Sequence, residues 1–490
     1  MATDPNRPSA AQGHAAHVSG ESELRELGYT QELKRGLSVV GTVALVVSDI
    51  TPATSLLVIS PVVIATVGTG AFWVYLISAI LATSVALCMA ELGSIYPVAG
   101  GLYSIVTRVL GKEVGFLAML DYLGQAVFLP ASIALGFGTY LSALLPGVSP
   151  NYASFAAMIA ITALAMLAIS GNAVITGLML TLELTLLAAV TIVGLTNAQQ
   201  PLGTLLQPVL VSSSGHATTV GIALIFTAVA TGLFSFNGYD SAINFSEETQ
   251  GEAKNVGQSV MIAALIGITF QIVPLIAVIL AAPNLGKFVN SKAPITYVFR
   301  SAIGPVANTI LTIGVLIAIF AATLAITLQF ARVLYSTGRD RAWPTGINNV
   351  LSKVSARYNS PWVAVLIVGG LTAVLTLVGG LVLVVTFTAV LIILLYALIA
   401  ISALVSRLRH PDFERPFRMP LWPVPPVLAL IGVGIAISQQ RVTDLLIVVA
   451  ILVVGTIYYA LFLRPRSSTH WHAPEAPLTV ENPSSAHENR

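Results

Sequence analysis

Apolar residues run along most of this chain in stretches near 20, separated by short segments rich in Gly, Pro, Ser and charge. The stretches are continuous in Leu, Ala, Ile and Val and do not alternate with polar positions. At 1.5 Å per residue, about 20 residues cross a hydrocarbon core of about 30 Å, so each stretch predicts a membrane span. A β-barrel would show alternating segments of roughly 10 residues. Helices are then the way left to satisfy the backbone in lipid. The breaks set spans at 37–66, 72–96, 113–144, 152–170, 174–197, 219–246, 258–283, 306–331, 361–379, 382–406, 421–438 and 442–463. The pattern predicts an all-α polytopic membrane protein with twelve transmembrane helices.

Two spans carry residues that fit poorly in a lipid-facing helix. The first holds Ser48, Asp49, Ile50, Thr51, Pro52, Ala53, Thr54 and Ser55 at mid-depth, and the sixth holds Phe234, Ser235, Phe236, Asn237, Gly238, Tyr239 and Asp240. Lying five spans apart, the two helices run in opposite directions. Matched interruptions in two oppositely oriented halves point to an inverted-repeat transporter with its site between the repeats. The halves share no visible sequence similarity, so the symmetry rests on position.

Composition agrees with this picture. The chain is 56% hydrophobic and 9% charged, where soluble domains carry about 25% charged residues. The polar first 36 residues hold no signal-peptide core and are expected to be a cytoplasmic tail. Lys287, Lys292, Arg300 and Arg441 would face outward and the other 19 of the 23 basic residues inward, as the positive-inside rule requires when both termini are cytoplasmic. Arg339, Arg341, Lys353 and Arg357 cluster in one inner loop, and Arg407, Arg409, Arg415 and Arg418 in another. The net charge of +2 points to no particular partner, and no nucleic acid is expected.

The lone Cys88 excludes a disulfide framework or a cysteine metal site. The pairs Gly111-Lys112 and Gly286-Lys287 lack the rest of a phosphate-binding loop, so ATP-driven transport by this chain alone is not expected. His14, His17, His216, His410, His470, His472 and His487 all lie in tails or loops, so an intramembrane enzyme has no base or metal ligands to use. No cofactor and no metal are expected. A channel would show pore-lining polar stripes or filter loops, and the short tails carry no signalling domain that a membrane sensor would need.

Three stretches resemble the amino acid, polyamine and organocation superfamily of permeases. They are Ala90 to Tyr103, Phe236 to Asp240 with Glu247, Glu248 and Thr249, and Arg332 to Tyr335 through Arg339 and Asp340 to Pro344. The likeness covers roughly residues 35 to 463. It implies a five-plus-five inverted repeat with broken helices 1 and 6: a tail at 1–36, the first repeat at 37–197, the second at 219–406, two further helices at 421–463, and a cytoplasmic tail at 464–490. The implied function is secondary active transport of an amino acid or related organic amine across the cytoplasmic membrane by alternating access. The family's Gly-Ser-Gly break corresponds here to Ala53, Thr54 and Ser55, and the outer-loop cysteine that binds a heavy chain is missing, so no disulfide-linked partner is expected.

Free N–H groups at the start of a half-helix favour an anion, so Ala53, Thr54, Ser55 and Leu56 are candidate donors to a substrate carboxylate. The carbonyls near Val47 and Phe234 would accept from its ammonium. By the resemblance, Phe234 closes over the substrate; Ile50, Phe236, Asn237 and Gly238 join the candidate site, although Pro52 and Gly238 could also be plain kinks. Asp49, Glu91, Asp121, Glu183 and Asp240 lie within spans, where a carboxylate costs at least about 2.5–3.5 kcal/mol and needs a reason.

Glu91 reads as a structural residue of the inner loop. Asp121 and Gln125 share a helix face, which the resemblance turns toward the cavity. Asp121 would pair there with a substrate amine, or be held structurally by an inner-loop arginine. Glu183 stands where some family members hold a lysine that replaces sodium. Burial disfavours the charged carboxylate, so Glu183, and after it Asp240, is a candidate proton carrier. Sodium held by a carboxylate and hydroxyls such as Thr323 is the competing idea. A zwitterionic amino acid and a polyamine both remain open as substrates.

Overall fold

The computed structural model describes residues 38–97, 101–167, 173–212, 214–246, 249, 253–355 and 360–471. The tail at 1–36, all but 464–471 of the second tail, and Val98, Ala99, Gly100, Glu247, Glu248 and Arg357 lie outside the described residues.

Helices dominate. The first span is α1 (Val39–Ile50), a short Pro52–Thr54 segment, a π-helical turn at Ser55–Ile59 and α2 (Ser60–Val67). There follow α3 (Ala71–Ile95), α4 (Gly101–Leu110), α5 (Lys112–Leu144), α6 (Pro150–Met166) and α7 (Ala173–Thr196). A hairpin of β1 (Val209–Val211) and β2 (Ala217–Thr219), with Val209 opposite Thr219, precedes α8 (Ile222–Ser235). Its β-branched run was not read as strand in the sequence, because the hairpin is too short to show a period. The rest comprises α9 (Lys254–Leu280), α10 (Pro294–Arg339), α11 (Trp362–Val378), α12 (Leu381–Arg409), α13 (Val424–Ser438) and α14 (Val442–Tyr458).

A helix stands at each of the twelve expected span positions. Among the described residues, seven helical runs are long and apolar enough to cross a membrane, the first being Val39–Ile95. α6, α8, α11 and α13 are apolar but shorter, at 17, 14, 17 and 15 residues. α10 is two helices joined at Gly304, which turns the chain at φ 83; the second starts at Pro305, beside the expected boundary at 306, and a further helical stretch from Pro294 precedes it. The most extensive helix pairs are α3 with α9, α6 with α11 and α5 with α10. Each pair joins spans five apart in the chain.

One end of the bundle is held by polar contacts. Glu91, 1% exposed, accepts from Arg407 Nε at 2.8 Å and from Arg407 Nη2. The Met419 N–H donates to it at 2.7 Å, and Arg415 Nε lies 3.4 Å away. One carboxylate thus ties α3 to α12 and the loop that follows it, the structural role its position suggested. Tyr103 of α4 donates to Asp340 at 2.8 Å, joining two of the signature stretches. Beyond α14, buried Trp471 donates from Nε1 to the Lys112 carbonyl at 3.0 Å.

Removing one partner of a buried ion pair strands the other, at roughly 3–5 kcal/mol. Glu91→Ala is therefore expected to lower the melting temperature of the detergent-purified protein well below that of Glu91→Gln, which keeps the shape and a hydrogen-bond acceptor. Equal melting temperatures for both variants and the parent would show the cluster to be energetically idle.

Candidate functional site

α1 stops at Ile50 because Thr51 turns to φ 45, ψ 59 and Pro52 has no N–H to continue the ladder. The Thr51 N–H still reaches the Val47 carbonyl at 3.2 Å, and Ser55 N–H closes on the Thr51 carbonyl at 2.8 Å. That leaves Ala53 and Thr54 as the donors at the start of the half-helix. The Glu183 carboxylate, from α7, faces the Ala53 N–H. Thus Ser55, expected as a backbone donor, uses its N–H within the chain, and its hydroxyl donates to the Ile50 carbonyl at 3.1 Å.

α8 ends at Ser235, where Phe236 and Asn237 fold back onto Leu233 and Phe234 in tight turns. Gly238 follows at φ 118, and helix resumes at Ser241–Asn244. A Cβ on Gly238 would stand 2.9 Å from the Ile50 N and Cα and from the Asp49 carbonyl oxygen. The two broken segments therefore meet back to back, and only glycine allows both the conformation and the approach.

Around this contact lies a cavity of about 20 Å³, room for about one water molecule. Asp49, Ile50, Thr51 and Ser55 line it from the first span, and Phe234, Asn237, Gly238 and Asp240 from the sixth. Tyr122, Leu129 and Ile133 of α5 and Ile326, Gln329 and Phe330 of α10 complete it. No Lys or Arg is among its lining residues in the described part of the chain. Asp240 accepts from the Tyr122 hydroxyl at 3.0 Å, and Asn237 accepts from Tyr396 at 2.9 Å. Asp49 Oδ2 has no hydrogen-bond partner among the described residues. Two carboxylates border the cavity, and Arg332 of α10, outside the lining, lies close enough to attract Asp49.

Of the residues expected from sequence, Ile50, Ser55, Phe234, Asn237, Gly238 and Asp240 come together here. Ala53 and Thr54 start the half-helix beside the cavity. Phe236 turns away, packing edge-on against Tyr75 at 5.4 Å. Asp121 and Gln125 bond to each other at 3.0 Å and are not among the cavity residues. Their helix face is turned to α12, where Phe128 meets Phe387 at 4.6 Å and Gly124 meets Leu391. Thr323 donates its hydroxyl to the Ile319 carbonyl at 2.7 Å. Sequence reasoning did not choose Tyr122, Gln329, Phe330 or Tyr396, and treated Asp49 as part of the break only. Tyr122, Leu129 and Ile133 recur at a helical spacing on α5, a signal that an apolar helix hides.

A bundle of apolar helices around a cavity at two facing helix breaks is the arrangement of a multi-pass membrane transporter, not of an enzyme. Residues 37–469 match the profile of the family described as amino acid permease, and the chain belongs to that family of the amino acid, polyamine and organocation superfamily. It is 24% identical to the branched-chain amino acid permease BcaP of Bacillus subtilis, over 94% of this chain and 98% of the relative. The methylthioribose transporter of the same organism is also 24% identical, over 81% and 88%. The serine/threonine exchanger SteT of that organism is 24% identical over 81% and 90%.

Gly238→Ala forces an unfavourable backbone angle, at about 1–3 kcal/mol, and a collision with Ile50. It is expected to abolish uptake and lower the melting temperature, whereas Gly434→Ala, which meets no atom within 4 Å, should change neither. Normal uptake by Gly238→Ala would mean that the breaks need not touch.

Proposed function

We propose that this chain is a secondary active transporter that carries an amino acid across the cytoplasmic membrane by alternating access, coupled to protons, with both termini in the cytoplasm. The observation that carries this reading is the back-to-back contact of the two breaks, which brings Asp49 and Asp240 to one cavity beside the half-helix donors Ala53 and Thr54. The ammonium of a zwitterion would meet the carboxylates, and its own carboxylate the Thr54 N–H, the Ala53 N–H being engaged by Glu183. Phe234, Ile50 and the α5 face would cover its apolar part. The cavity holds about one water, so the substrate enters only when the bundle opens.

Packing of spans five apart supports a five-plus-five inverted repeat of twelve spans with two helices added. Relatives named for branched-chain amino acids and for serine and threonine favour a neutral amino acid. A relative named for methylthioribose shows that the family extends beyond them. The second reading is a polyamine or organic cation, favoured by the two acids and the lack of a basic lining residue. Asp121 supports it less, since its carboxylate is paired with Gln125. For coupling, Glu183 is the proton candidate; the Thr323 hydroxyl is already engaged, which disfavours a sodium site built on it.

Proteoliposomes given leucine, serine, threonine or putrescine test this. Inward proton-driven uptake of a neutral amino acid is expected, insensitive to replacement of sodium by choline. Asp240→Asn should reduce it by at least about tenfold, equivalent to ~1.4 kcal/mol of lost interaction. Uptake of putrescine alone would establish the cation reading, and uptake that survives a proton ionophore but not sodium removal would end the proton reading.

A further inference from the structure

A second polar cluster lies behind the broken helix, away from the cavity. The Pro52–Thr54 segment packs against α7, α9 and α10. Three side chains around it are buried and incompletely bonded. Gln271 of α9 is 0% exposed, with neither amide atom partnered among the described residues. Thr54 is 0% exposed and its hydroxyl is likewise unpartnered. Glu183 is 3% exposed, and its Oε2 has no hydrogen-bond partner there.

Helix register draws them together. Gly267 of α9 lies against the Ile50 side chain, 3.0 Å from its Cγ2 to an added Cβ. Gln271 lies one turn on from Gly267 on the same face of α9, and α9 packs against the Pro52–Thr54 segment that follows Ile50. Glu183 already faces the N–H of Ala53, next to Thr54. None of these residues is among those lining the cavity.

A buried polar group left unmatched costs on the order of 1–3 kcal/mol, and native proteins satisfy such groups with partners or bound water. A carboxyl, an amide and a hydroxyl at one spot offer both donors and acceptors, which is the chemistry of a water site. We propose that Glu183, Thr54 and Gln271 form a buried water site behind the broken first helix, and that Gln271 is a positioning residue for the proton carried by Glu183. The inference rests on the proton-coupling reading and deepens it.

When Glu183 is ionised, the water donates to it and is held by Gln271 and Thr54; when Glu183 is protonated, its O–H donates to the same water. Of the charged groups on the packed elements, Lys254 on α9, Arg300, Arg332 and Arg339 on α10 and Asp49 on α1, none acts appreciably on Glu183; the Ala53 N–H is the polar group that does. The site therefore couples protonation to the start of the half-helix, which is the element that receives substrate.

The full-length protein, melted from acidic to alkaline pH in sodium and in choline chloride, tests the proposal without any substrate. A Glu183-dependent step is expected in the parent and absent in Glu183→Gln. Gln271→Leu and Thr54→Val should each move that step toward higher pH by about one unit, because the ionised carboxylate loses its hydrogen-bonded water. The same displacement should appear in the pH profile of uptake. If Glu183→Gln removes the step but both other variants leave it in place, the water site is wrong and proton coupling stands. If the step survives in Glu183→Gln, the coupling reading fails and takes the site with it. Melting that responds to sodium and not to pH would overturn the water site in favour of a metal cation.

Discussion

A helix broken at mid-membrane exposes N–H and C=O groups that lipid cannot satisfy, so such a break survives only where protein covers it. Here each break is covered by the other. The chain turns at Thr51 and at Gly238, and the Gly238 backbone rests directly on that of Ile50. The rest of the bundle can be read as support for this one contact. α5 and α10 close its sides with Tyr122, Phe330 and Gln329, while α7 and α9 pack behind the half-helix, Glu183 of α7 facing the Ala53 N–H. A side chain at residue 238 would part the two segments and expose both sets of backbone groups at once.

The carboxylates of the spans are sorted by their neighbours. Glu91 is held by Arg407, Arg415 and a backbone N–H, and acts as a fastening. Asp121 is bonded to Gln125 away from the cavity. Asp240 is held by Tyr122 yet still borders the cavity, and Asp49 keeps one oxygen without a partner. A buried carboxylate that is fully bonded has little left to offer a ligand, whereas one with spare acceptors beside a cavity does. The carboxylates with spare acceptors beside the cavity are thus those at the two breaks. The cavity is smaller than any amino acid, so the bundle is described here in a closed arrangement.

Apolar run length alone determined that this is a helical membrane protein, because the hydrocarbon core sets a length that any span must meet. It also located both breaks: Pro52, Gly238 and the acids beside them are incompatible with an unbroken lipid-facing helix. The signature stretches carried the family. What one chain of letters could not convey was which helix faces meet. Asp121 and Tyr122 are neighbours in sequence and 100° apart around α5, yet Tyr122 borders the cavity and Asp121 does not. In helices that are apolar on every side, periodicity does not mark the inward face, so Tyr122, Gln329 and Phe330 joined the site only through packing. The approach of Gly238 to Ile50, and of Gly267 to the same Ile50 side chain, joins residues about 190 and 220 positions apart. No local pattern encodes such pairs, and only the tertiary structure decided them.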